Sequence, residues 1–171
     1  ILHHEFIRQA KSLGDKLAII DRTTERRVSY SKALIASLIL AKRFKRINDG
    51  FIGIMIPTSA GSMLATLGVV MAGKVPVMIN YSTGAAENCE DAPNNCGFRT
   101  IITSRALLEK LGTRLVPGMI FIEDLMAQIS FKAKITAALK SKLPAKLSIA
   151  GLPPSDEDDN LVILFTSGSE K

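Results

Sequence analysis

The amino-acid sequence predicts a doubly wound α/β fold, a mostly parallel sheet with helices on both faces. Two observations carry that expectation. Short apolar runs at 51–56, 75–79, 100–103, 119–122 and 161–165 have strand length, and helical stretches at 61–71, 83–96, 106–111 and 131–146 fall between them. Apolar strands that alternate with helices imply a sheet covered on both faces, joined by right-handed crossovers. The composition agrees: 171 residues with 47% apolar and 22% charged side chains can bury a sizeable core.

Ahead of that alternation, residues 2–46 form a first unit. Residues 5–13 read as a helix ended near Gly14, and 17–20 with 27–30 as a strand pair around the polar turn 21–25. Ser31 is the expected N-cap of a helix over 32–44, with Leu34, Leu38 and Ala41 on one face. The basic run Lys42-Arg43-Phe44-Lys45-Arg46 suits the negative pole of that helix, and this role is preferred to a binding patch.

From Gly50 the strand–helix pattern takes over. Pro57 stops the first strand, and Pro93 disturbs the end of the helix over 83–96. The stretch 131–146 is different in character. Phe131, Ile135, Leu139 and Leu143 recur every four residues, and the charges among them are all lysines. Two readings stay open: a surface helix with solvated lysines, which is preferred, and a basic amphipathic helix meeting an anionic membrane or an acidic partner. A loop with the acidic run 156–159 follows, and then 161–165 reads as a buried strand.

Several classes are disfavoured. The net charge of +6 suits an acidic partner, but aromatics are only 5% with no Trp, and no helix-turn-helix or zinc-finger spacing occurs. Nucleic acid is therefore not an expected partner. The longest apolar stretch, 63–72, is too short to span a bilayer. Cys89 and Cys96 make neither a disulfide framework nor a zinc spacing and read as packed thiols. His3 and His4 read as surface residues rather than catalytic or metal-binding ones. The chain starts at Ile1 without Met and ends at Lys171 just after a motif-like run, so residues 1–171 are expected to be one part of a longer polypeptide.

That run is Thr166-Ser167-Gly168-Ser169-Glu170-Lys171, directly after the last strand. A Ser/Thr/Gly loop leaving a strand can hold phosphate, because glycine admits a close backbone approach and N–H and hydroxyl groups donate to the anion. It is not a Walker A loop, a nucleophile elbow or a Ser-x-x-Lys motif. On its own it is read by default as a polar turn that binds nothing.

Leu161 to Ser169 resembles the phosphate-loop signature of the adenylate-forming superfamily, which includes acyl-CoA synthetases and luciferases. Three further segments are similar to that family in the family's order: Val28-Ser29-Tyr30 with the helix after it, Gly53-Ile54-Met55-Ile56-Pro57-Thr58-Ser59, and Ala72-Gly73-Lys74-Val75-Pro76-Val77-Met78-Ile79-Asn80. A narrower resemblance, to the acyl-acyl-carrier-protein synthetase half of bacterial bifunctional enzymes that re-acylate lysophospholipid, rests on four phrases. They are Met78-Ile79-Asn80-Tyr81-Ser82-Thr83-Gly84, Ile101-Ile102-Thr103-Ser104-Arg105, Ile122-Glu123-Asp124-Leu125 and Ser169-Glu170. Lys171 departs from the pattern, standing where the family usually has Gly, so it is not the motif lysine.

The resemblance implies a fatty acid activated by ATP with Mg²⁺ to an acyl-adenylate, then passed to the thiol of acyl carrier protein or coenzyme A. It implies that Thr166, Ser167, Gly168 and Ser169 bind the ATP phosphates. It also implies a location on the cytoplasmic side, at the inner membrane. No catalytic or metal-binding residue of the family has a counterpart within 1–171. A non-catalytic α/β binding module, or an adenylating enzyme for another carboxylate, are the alternatives.

Overall fold

The computed structural model describes residues 1–82 and 84–165. Helix α1 (Leu2–Leu13) leads into an antiparallel hairpin, β1 (Leu17–Asp21) and β2 (Arg26–Ser29), followed by α2 (Tyr30–Phe44). Then come β3 (Phe51–Met55), α3 (Ala60–Met71), β4 (Val75–Met78), α4 (Ala85–Cys96), β5 (Ile101–Thr103), α5 (Arg105–Leu111) and β6 (Met119–Phe121). The chain continues with α6 (Ile122–Ala127), α7 (Phe131–Lys142), α8 (Ala145–Ala150) and β7 (Ile163–Leu164).

The main sheet has the order β6-β5-β3-β4-β7, and every pairing in it is parallel. Alternation along β3 and β5 sends side chains to two different cores. Ile52, Ile54 and Ile102 pack with Ile7, Leu34, Leu40, Phe44, Val69 and Met71 of α1, α2 and α3. Met55, Val77 and Ile101 pack with Ala86, Cys89, Ala92, Leu107 and Leu108 of α4 and α5 on the opposite face. The expected doubly wound layer is thus present, with both faces covered.

Serine starts four of the helices. Ser29, Ser59, Ser104 and Ser130 each have extended backbone, and their hydroxyls accept from the N–H three residues on, at 3.4, 3.2, 3.2 and 3.2 Å. For α2 this corrects the expected cap at Ser31. Ser29 is the last residue of β2, so its extended backbone serves strand and cap together, and Ser31 already lies inside the helix.

The 131–146 helix is two helices. Leu143 precedes Pro144 and takes extended backbone, φ −64° and ψ 151°, because the proline ring disfavours the helical conformation of its predecessor. Lys11 braces the corner by donating its ammonium to the carbonyls of Ser141, at 2.7 Å, and Leu143. The face that α7 packs inward is its small one: Ala133 and Ala137 lie against Ile35, Ile39 and Ile129. Phe131, Ile135 and Leu139 point the other way and are 78%, 45% and 63% exposed.

Three further readings are corrected. Helix α4 runs through Pro93 to Cys96 and begins at Ala85, after Gly84 in left-handed conformation. The stretch 161–165 contributes only Ile163 and Leu164 as an edge strand against β4, with Leu161 and Leu164 exposed, so it is not a buried strand. His3 is buried, at 3% exposure, because it shares the inner face of α1 with Ile7 and Ala10 at helical spacing. Burial, the neighbouring His4 and the terminal amine together lower its pKa to about 4.

Candidate functional site

Because all five strands of the main sheet are parallel, their C-terminal ends share one edge. At that edge β3 leads by α3 to β4 on one side, while β5 leads by α5 to β6 on the other. Adjacent β3 and β5 therefore form a topological switch point, where open α/β sheets leave a crevice for ligands. Thr103 ends β5 there. Its side chain is fully buried, and its hydroxyl has no hydrogen-bond partner among the described residues.

Next to Thr103, Ser104 caps α5 and Arg105 enters an ion-pair cluster. The Arg105 guanidinium grips Asp124 with both nitrogens at 2.8 Å and lies 4.2 Å from the centre of the Phe121 ring. Glu123 accepts from the Arg105 backbone N–H at 3.1 Å. The hydrogen bond from Arg105 holds the Asp124 carboxyl below its usual range. Two phrases separated in sequence, 101–105 and 122–125, are joined by these contacts. Both partners are about half exposed, so the pair orders the edge more than it stabilises the fold.

On the other side of β3, the segment after β4 is tied down by its own side chains. Asn80 Oδ1 accepts from the backbone N–H of Ser82 at 3.0 Å and from its hydroxyl at 2.8 Å. The Asn88 amide, one turn into α4, donates to the Asn80 carbonyl at 3.0 Å. This is an Asx turn buttressed by a helix. A small cavity of about 20 Å³ opens beside it, lined by Asn80, Asn88, Asp91, Asn95 and Phe165.

Phe165 is the last described residue before the Ser/Thr/Gly run. It follows β7, the neighbour of β4, and its ring packs on the core beneath α4. The residues assigned to phosphate, Thr166, Ser167, Gly168 and Ser169, lie outside the described residues. Phe165, which precedes them, is at the C-terminal edge of the sheet, beside the Asn80 turn.

The family model for AMP-binding enzymes matches residues 6–170. The chain belongs to the AMP-binding enzyme family. Solved structures agree at the level of fold. VinN in complex with 3-methylaspartate superposes with a TM-score of 0.72 at 16% identity, over 99% of this chain and 45% of that one. A fatty acyl CoA synthetase of Mycobacterium tuberculosis gives 0.65 at 19% identity, over 97% and 32%. The O-succinylbenzoate coenzyme A synthetase MenE of Bacillus subtilis, in complex with ATP and magnesium ion, gives 0.59 at 17% identity, over 73% and 34%. The chain spans less than half the length of each of these proteins.

Within this AMP-binding chain, the edge geometry shows what residue patterns did and did not reveal. Asn80-x-Ser82 is a legible turn signal. The brace from Asn88 and the buried Thr103 hydroxyl depend on which elements become neighbours, and nothing local signals them. Among the described residues no group of three His, Cys, Asp or Glu could hold a metal ion. Both cysteines are free, and Cys89 is buried with its thiol 3.3 Å from the Met55 sulfur. Burial, reinforced by Glu90, pushes that thiol up to about 12, so it is a packed group and not a nucleophile.

Proposed function

We propose that this chain is part of an ATP-dependent ligase that activates a fatty acid as its acyl-adenylate and transfers it to the thiol of acyl carrier protein or coenzyme A. The observation that supports this best is that Phe165, the residue just before 166–169 in sequence, stands at the C-terminal edge of a parallel sheet in an AMP-binding chain. In the first step a carboxylate oxygen bonds to the α-phosphorus of ATP and the bond to pyrophosphate breaks. In the second the thiol sulfur attacks the acyl carbonyl, AMP leaves with the bonding pair, and the thiol proton goes to solvent.

Thr166, Ser167 and Ser169 donate hydrogen bonds to the β- and γ-phosphates, with Gly168 allowing close approach. Their contribution is positional and electrostatic, since pre-aimed donors need no reorganisation as charge moves to pyrophosphate. Mg²⁺ arrives with ATP and neutralises phosphate charge. The narrower role, lysophospholipid re-acylation at the cytoplasmic face of the inner membrane, rests on the four sequence phrases and on the outward ridge of α7. Phe131, Ile135 and Leu139 on that ridge stand exposed in a helix whose charges are all lysines, which suits an anionic bilayer surface.

Fatty-acid-dependent ATP–pyrophosphate exchange by the complete protein tests the activity. Exchange should require a fatty acid, and Ser167→Ala should slow it by about 10²–10³-fold, the usual cost of one pre-aimed donor. No exchange with any carboxylate, from folded protein with Mg²⁺ present, would make the chain a binding module instead. Salt-sensitive flotation with phosphatidylglycerol vesicles, lost on Phe131→Ser with Leu139→Ser, tests the ridge.

A further inference from the structure

A second cavity lies away from the ligand-binding edge. It has a volume of about 290 Å³ and sits between the C-terminal half of α2, the inward flank of α7 and the Leu152-Pro153 segment. Its floor is apolar: Leu38, Met71, Ala133, Ala137 and Leu152. Its rim carries Lys42, Arg43, Lys45, Arg46 and Lys140, and no Asp or Glu lines it.

Those cations are not used up internally. Arg43 is held by Gln128, donating to its side-chain oxygen at 3.3 Å and its carbonyl at 2.5 Å. The ammonium groups of Lys42, Lys45 and Lys140 and the Arg46 guanidinium have no partner among the described residues, and the ion pairs found there, Arg8–Glu5, Arg105–Asp124 and Arg114–Glu90, involve none of them. The dipole of α2 explains part of this clustering. Its C-terminus carries only about half a negative charge, however, and Lys140 comes from a different helix. A recess with an apolar floor and an unpaired cationic rim has the chemistry of a site for an anion with an apolar tail.

We propose that the α2–α7 cavity binds a small amphiphilic anion, an organic phosphate with a short alkyl chain, with the tail on the Leu38–Ala137 floor and the phosphate among Lys42, Arg46 and Lys140. The proposal is independent of the adenylating activity, because Met71 and the last turn of α2 lie at the ends of α3 and α2 that precede the strands, opposite to the Asn80 and Thr103 edge. It is also distinct from the α7 ridge, since Ala133 and Ala137 face inward while Phe131 and Ile135 face out. The volume sits at the lower limit of pockets that bury small organic ligands, roughly 300 Å³, so the tail is short.

Octyl phosphate, kept below micelle-forming concentration, is the probe, titrated into the complete protein beside inorganic phosphate and octanol. Octyl phosphate should bind at least tenfold more tightly than either half-probe. Lys42→Gln with Arg46→Gln, both exposed, should weaken it about tenfold or more, as expected for charge-assisted hydrogen bonds, and leave the melting temperature of the free protein in place. A diazirine-bearing octyl phosphate, which needs no variant, should label residues within 38–46, 130–140 and 151–153, sparing the outward Phe131, Ile135 and Leu139. Equal binding of inorganic phosphate, undiminished binding by the double variant, or labelling confined to the outward ridge or to any other surface would each overturn the proposal.

Discussion

Asp21, in the β1–β2 hairpin, accepts a hydrogen bond from the backbone N–H of Ala60, the first residue of α3, at 2.9 Å. Its other carboxylate oxygen accepts from Thr23 and Thr24 at 3.0 and 3.1 Å. One buried carboxylate thus closes its own turn and docks the hairpin on a helix N-terminus 39 residues away, where negative charge is favoured. The Ala60 bond, with those from Thr24 and Thr23, holds the Asp21 carboxyl below its usual range.

Removing that charge should loosen the junction between the hairpin and the sheet. Asp21→Asn keeps the shape, but its amide nitrogen cannot accept, so one side of the cradle is lost. We expect a melting temperature lower by several degrees at neutral pH. Because the folded-state pKa is depressed, the contribution of Asp21 is present at neutral pH and is lost as pH falls below the ordinary carboxylate range. The variant should therefore lose less stability than the parent on acidification there, read by melting scans between pH 2 and 7. An unchanged acid limb would remove this role from Asp21.

His3 works in a different window with a stated sign. Its folded pKa of about 4 lies below the ordinary 6.5, so the unfolded chain binds the proton first. Stability should then be full above the ordinary value, decline as pH falls from 6.5 towards 4, and change no further below that on account of His3. His3→Gln should flatten that part of the melting profile. A slope equal to the parent's between those limits would contradict the burial of His3.

At Gly68, α3 packs tightly against α2. A Cβ built there stands 2.7 Å from Leu40 Cβ and 3.2 Å from the Phe44 ring. Neither helix can retreat without opening the core shared with Val69 and Ile54. Gly68→Ala should cost about 1–3 kcal/mol, the range for overpacking a filled core. Denaturant unfolding measures it, and a neutral result would mean the helices can slide apart.

The two cysteines should part company chemically. Cys89 is fully buried with its thiol raised to about 12, whereas Cys96, near the end of α4, is only half-buried. Iodoacetamide under native conditions at neutral pH should alkylate Cys96 while leaving Cys89 intact, and both should react once the chain is unfolded. Native labelling of Cys89 at a comparable rate would show that α4 opens readily.

What could be read from residues alone was whatever depends on near neighbours. Apolar runs, the first of them stopped by Pro57, marked the strands and helices of the sheet, because hydrophobic periodicity and turn chemistry act over a few residues. The family was legible too, since ordered motifs such as 53–59 and 72–80 are local strings, and the family match over 6–170 agrees with them. The phosphate-binding segment 166–169 was named from the same kind of string and lies outside the described residues.

Tertiary structure decided the rest, because it depends on which faces meet. Periodicity located an apolar stripe on 131–143, but only packing against Ile35 and Ile39 showed that the alanine face goes in and Phe131 and Leu139 stay out. A histidine three residues from the chain start became buried because α1 lies on the first core with Ile7. Likewise, the Arg105–Asp124 grip, the Asp21–Ala60 bond and the cationic cavity join residues 19, 39 and up to 115 positions apart. Such pairs leave no local trace, since burial and charge partners are properties of the folded arrangement and not of the segments that enter it.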